Sequence, residues 1–155
     1  MVFSIIGGMR MKKHGIPVLA AVVLLTLLNV RTSFAEPPAG TAAKIARGKY
    51  LVENVAHCGD CHSPHNEKGE TVSGKELRGT TLAFKSIVPM SIWADKAPNI
   101  AGMRGWEQAD AVKFFMTGLA YNDLPARPPM PQYKMNKEDA EAVVAYLKSL
   151  SPTAK

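Results

Sequence analysis

The chain has two cysteines, and both fall within five residues, Cys58-Gly59-Asp60-Cys61-His62. Thiols three positions apart in a helical turn lie on one side of it, and an imidazole follows at once. One such pair cannot supply the framework of a disulfide-rich mini-protein. The 155 residues, 46% of them hydrophobic, suffice for one domain with a real apolar core. Neither disorder nor a collagen repeat fits that composition.

The pattern C-x-x-C-H reads as a c-type haem attachment segment. Both thiols can add to the vinyl groups on one side of a porphyrin, and His62 then lies under the iron with a neutral imidazole nitrogen to donate. Thioether bonds also retain a cofactor that would otherwise be lost to the medium. Competing readings fare worse. A thioredoxin-type redox pair expects a βαβ setting, whereas the neighbours here read as helices and loops. Zinc needs four ligands, and after His62 the chain offers one further histidine, His65. A structural disulfide across two residues is unusual outside redox centres.

An electron-carrying iron needs a second axial ligand from the far side of the porphyrin. His57 and His65 are tethered to the His62 side, and His14 lies near the N-terminus. Methionine is therefore the natural alternative to a second histidine. Met116 falls in a predicted helix, where methionine is more often core filler. Met103 sits in a Gly-rich turn, and Met90 follows Pro89 in a loop. Met130 stands in Arg127-Pro128-Pro129-Met130-Pro131, a stiff extended segment in which Pro131 keeps Met130 out of the helical region. Met130 is the first choice, with Met90 and Met135 as the alternatives.

The formal charge of +6 invites thoughts of nucleic acid, so its location matters. Arg10, Lys12, Lys13 and Arg31 lie in the first 35 residues, which hold no acidic residue, and this leaves the remainder near neutrality. No Lys/Arg run interleaved with aromatics exists in the body, so no nucleic-acid partner is expected. Residues 1–35 have the order of a secretory signal: basic residues, an apolar run from Ile16 to Val30, and small residues at Ser33 and Ala35. The run is shorter than the roughly 20 residues that span a bilayer, though an uncleaved anchor is the rival reading. Translation starting at Met1, Met9 or Met11 would each be compatible with this leader. Export to the periplasm or beyond is the expected fate, with membrane tethering if the leader is retained.

Residues 36–40, with adjacent prolines and a glycine, read as a linker to a domain over 41–155. The spacing of Ile45, Leu51, Val52 and Val55 predicts a helix from Thr41, as cap, to about Val55. Gly48 inside it costs about 1 kcal/mol against alanine, which points to close packing there. Ser63–Met90 reads as loops with at most two short strands. A second helix is expected over Asp110–Leu119, with Ala111, Phe114, Phe115 and Gly118 near one side and Trp106 just before it. Leu124–Gln132 holds four prolines and cannot be helical. The clearest element starts at the N-cap Asn136, runs through the stripe Ala140, Val143, Val144, Leu147 and Leu150, and stops before Pro152. The fold class is all-α: a small helical domain wrapped around one haem.

Cys58-x-x-Cys61-His62, the helix before it, the Pro-flanked Met130 and the closing helix together make residues 41–150 resemble class I monohaem cytochromes c, in the manner of bacterial periplasmic members. That resemblance implies that the first and last helices cross closely, with Gly48 meeting Tyr146. It also implies that Pro98-Asn99-Ile100 is a haem-contacting loop and that Trp106 packs on or bonds to a propionate. His62 and Met130 would be the iron ligands, and Cys58 and Cys61 the attachment points of a single haem c. The stretch between His62 and Asn99, with Lys75, Arg78, Lys85 and Trp93, is longer than in the smallest members and reads as a solvated loop or a docking surface. His/Met ligation leaves no open site and tends to raise the reduction potential. The expected function is one-electron transfer, as a carrier or as the haem subunit of a membrane-bound oxidoreductase, with redox proteins as partners and no catalysis of its own. The alternative is a catalytic or gas-binding haem protein with an open sixth position.

Overall fold

A computed structural model describes residues 39–150. Helix α1 (Ala39–Tyr50) runs into one π-helical turn, Leu51–Val55, closed by Ala56 N–H donating to the Leu51 carbonyl at 2.8 Å. A single turn, α2 (Cys58–His62), follows. Strand β1 (Thr80–Thr81) pairs antiparallel with β2 (Lys96–Ala97), Thr80 opposite Ala97. Helices α3 (Gln108–Thr117) and α4 (Lys137–Ser149) complete the order. Among the described residues no helix is long and apolar enough to cross a membrane. The expected leader, residues 1–35, lies outside the described residues.

Local chemistry accounts for the helix ends. Asn136 Oδ1 accepts from Asp139 N–H at 2.8 Å, and the carboxylates of Glu138 and Asp139 favour the positive end of α4. Gly118 ends α3 in a left-handed conformation, φ 78°, with its N–H on the Phe114 carbonyl. Helices α1 and α4 cross where Gly48 has no side chain: a Cβ there would overlap the Ala142 carbonyl and press on Tyr146 Cβ. The close approach expected at Gly48 is present, but its first partner is the backbone of Ala142. Val52, Val143, Val144 and Leu147 form the centre of the core. Lys44–Glu141 and Arg47–Asp139 bridge the crossing at 2.7 and 2.9 Å on the exposed side, where solvent screening leaves such pairs little net worth.

Several sequence expectations shift. Residues 39 and 40 are already helical, so Thr41 lies inside the helix and is not its cap. The π turn takes one extra residue per hydrogen-bonded ring, which rotates Val55 out to solvent while Leu51 and Val52 stay buried. One strand of the short pair falls at Lys96–Ala97, beyond the stretch in which both were sought, because the pairing is non-local. Met116 is exposed, one position round from the buried Phe115, and fills no core space.

Between the strands the chain forms a strap. Leu82 N–H donates to the Asp95 carbonyl at 2.9 Å, and Trp93 meets Phe84 edge-on, while Ile87, Val88 and Ile92 point to solvent.

Candidate haem-binding cavity

His57 takes a left-handed conformation, φ 47°, and turns the chain into α2. That turn sets Cys58, Cys61 and His62 on one wall of a cavity of about 530 Å³. Met130 lines the same cavity from a distant part of the chain. The volume falls within the 300–1,000 Å³ typical of cofactor sites, and the lining is mostly apolar, with Leu82, Trp106 and Phe114 among its walls.

His62 is buried, and its Nδ1 lies 2.8 Å from the Pro98 carbonyl. A carbonyl only accepts, so Nδ1 carries the proton and Nε2 keeps its lone pair. Burial lowers the pKa of His62, with the Pro98 bond opposing it, so the ring is neutral at physiological pH, the form that ligates metal. The His62 carbonyl in turn accepts from Gly79 N–H at 2.6 Å. Gly79 has φ 84°, and a Cβ there would stand 2.7–2.8 Å from backbone atoms of Ala97, Pro98 and Asn99. This glycine is what lets the Pro98 segment close on the imidazole.

The thiols are not tuned for redox exchange. Burial pushes Cys58 up to about 11, and burial together with Asp60 raises Cys61, the reverse of an activated thioredoxin-type pair. Among the described residues no three His, Cys, Asp or Glu side chains gather into a group that could hold a metal ion. Two un-ionised thiols, a lone-pair nitrogen and a mostly apolar chamber fit a haem attached through cysteine.

The Met130 segment is held at both ends. Tyr133 Oη donates to the Ala56 carbonyl at 3.0 Å, and Met135 N–H to the Phe115 carbonyl. Burial, with the neighbouring Cys58 and Cys61, pushes Tyr133 up to about 12, so its hydroxyl stays a donor. On the other side Arg127 reaches the strap through Nε to the Ile92 carbonyl and Nη2 to the Trp93 carbonyl. Among the described residues the other methionines lie off this cavity: Met90 and Met116 are exposed, Met103 is buried in the core, and Met135 packs half-buried against it. His57 lines the cavity beside Cys58, whereas exposed His65 bonds Thr71. Trp106 is a wall residue, edge-on to Phe114 and Tyr121.

The sequence pointed to the Pro98 loop through resemblance alone, and it missed Gly79, Arg127 and Tyr133 as supports of the site. Glycine in a polar loop and arginine among prolines carry no signal that distinguishes them from ordinary turn residues.

A family model described as Cytochrome c matches residues 45–151. The fructose dehydrogenase cytochrome subunit of Gluconobacter japonicus is 29% identical over 70% of this chain and 22% of that protein. The cytochrome c subunit of the quinone alcohol dehydrogenase of Gluconacetobacter polyoxogenes is 31% identical over 75% and 26%. A diheme cytochrome c-type protein of Cereibacter sphaeroides is 31% identical over 66% and 34%. The chain spans about a quarter of the length of the first two relatives and a third of the third.

Proposed function

The chain belongs to the cytochrome c family, and from that premise we propose that it passes single electrons through one covalently bound haem in the service of a dehydrogenase. One observation carries the reading: Cys58, Cys61 and His62 line a single cavity of cofactor size together with Met130, which is remote from them in sequence. Bound haem supplies a one-electron couple between ferrous and ferric iron. The residues do the rest. Cys58 and Cys61 anchor the group covalently, and His62 presents Nε2 to the iron, held in that tautomer by Pro98. Met130 would offer its thioether to the iron, and Leu82, Trp106 and Phe114 would keep water from the group. The two cysteines of one C-x-x-C-H segment support a single attached haem in this chain, whereas one relative is a diheme protein.

The partners are redox proteins, with a membrane-bound oxidoreductase as one form of association, in keeping with relatives that are cytochrome subunits of dehydrogenases. The basic-then-apolar order of residues 1–35 supports export to the periplasm.

The test is the absorption spectrum of protein matured with a haem-attachment system. A methionine-to-iron charge-transfer band in the oxidised form, and indifference of the reduced form to carbon monoxide, are expected. Tight carbon monoxide binding would instead give the chain an open sixth site and a gas-binding or catalytic role.

A further inference from the structure

The Met130 segment hangs between two anchors of different kinds. Its C-terminal anchor is on the core side, where Tyr133 reaches the Ala56 carbonyl and Met135 N–H the Phe115 carbonyl. Its N-terminal anchor is on the strap between the two strands. There the Arg127 guanidinium spans two consecutive carbonyls, Ile92 at 2.9 Å from Nε and Trp93 at 2.8 Å from Nη2. Ala94 N–H returns a bond to the Pro128 carbonyl at 2.7 Å. Between the anchors, the Met130 N–H turns back on the Arg127 carbonyl at 3.1 Å, so the methionine is one short turn from the guanidinium clamp.

We propose that Arg127 is a positioning residue that sets how firmly Met130 is presented to the cavity, by locking the Met130 segment to the Ile92–Ala94 backbone. The inference rests on Met130 being the sixth ligand, as proposed above. A ligand held at one end only spends part of its time withdrawn, and the withdrawn fraction is what an external ligand competes for. Charge-assisted bonds to carbonyls are among the stronger single contacts, and a forked donor on two adjacent acceptors fixes direction as well as distance. A lysine ammonium reaches one carbonyl as a point charge and lacks the second, directed bond. The strap thereby gains a task other than solvation. It braces the ligand segment from outside the core, and its own backbone is held through the strand pair and the Leu82–Asp95 bond.

The experiment compares haem-loaded wild type, R127Q and R127K by three readouts: affinity of the oxidised protein for imidazole, the pH at which the methionine-to-iron band is lost, and the reduction potential. R127Q is expected to bind imidazole about tenfold tighter, the equilibrium equivalent of losing one such charge-assisted bond. It should also lose the band at lower pH and have a lower potential. R127K should fall between. A merely structural arginine would lower the melting temperature and leave all three unchanged. R127Q with wild-type imidazole affinity, band stability and potential overturns the proposal. If R127Q does not fold, R127K decides in the same way: wild-type values overturn it. A wild-type protein without the band sinks the Met130 assignment itself, which separates that failure from the failure of Arg127.

Discussion

At His62 the Pro98 carbonyl can accept but not donate, so the hydrogen bond of 2.8 Å assigns the proton to Nδ1 and leaves Nε2 with its lone pair. The acceptor lies 36 positions away in sequence, and a backbone carbonyl has no side-chain signature. For that reason the histidine of the C-x-x-C-H segment was legible in the sequence and the carbonyl that orients it was not. Met130 shows the opposite balance. Its flanking prolines marked it among five candidates, because fixed φ at Pro129 and Pro131 makes a stiff segment. The cavity then sets it apart, since neither Met90 nor Met135 lines the site. Met130→Ala is expected to keep covalent haem, lose the methionine-to-iron band, lower the potential, and bind carbon monoxide stoichiometrically. Titration of the reduced variant with carbon monoxide checks this, and a variant spectrum identical to wild type would transfer the ligand role elsewhere.

The helices differ in how far sequence pattern could carry them. Helix α4 was readable end to end, since its cap and its apolar stripe are local features and Asn136 does accept from Asp139 N–H. Helix α1 was readable in existence but not in phase, because the π turn at Leu51–Val55 obeys no period that a 3.6-residue pattern detects. The strand pair escaped for a different reason: two-residue strands carry too few side chains to alternate. The contact between α1 and α4 turns on Gly48, whose missing Cβ makes room for the Ala142 carbonyl. Gly48→Ala gains about 1 kcal/mol of helix propensity but forces the two backbones apart, an overpacking cost of about 3 kcal/mol or more. Thermal unfolding of the haem-loaded variant should show a net loss of at least about 2 kcal/mol. Unchanged stability would mean that the helices do not cross as closely as Gly48 permits.

At the scale of the whole molecule the cavity of about 530 Å³ is walled by apolar side chains from distant parts of the chain, Leu82, Trp106 and Phe114 among them, so a bound haem would bury them and add to the core. The double variant Cys58→Ala, Cys61→Ala is expected to lack covalent haem and to lose cooperative folding, as judged by far-ultraviolet circular dichroism and the absence of a sharp melt. A folded, red double variant would refute the attachment. The sequence by itself determined the C-x-x-C-H pattern, the helical class and the existence of the two principal helices, since each depends on spacing within a few residues or on periodicity along one element. The crossing of those helices came from resemblance. Only the tertiary structure decided the tautomer of His62, the glycine that admits Pro98, and the Arg127 clamp on the methionine segment. These rest on backbone groups brought together from distant positions, and every residue carries the same amide and carbonyl, so no pattern of side chains announces which of them will meet.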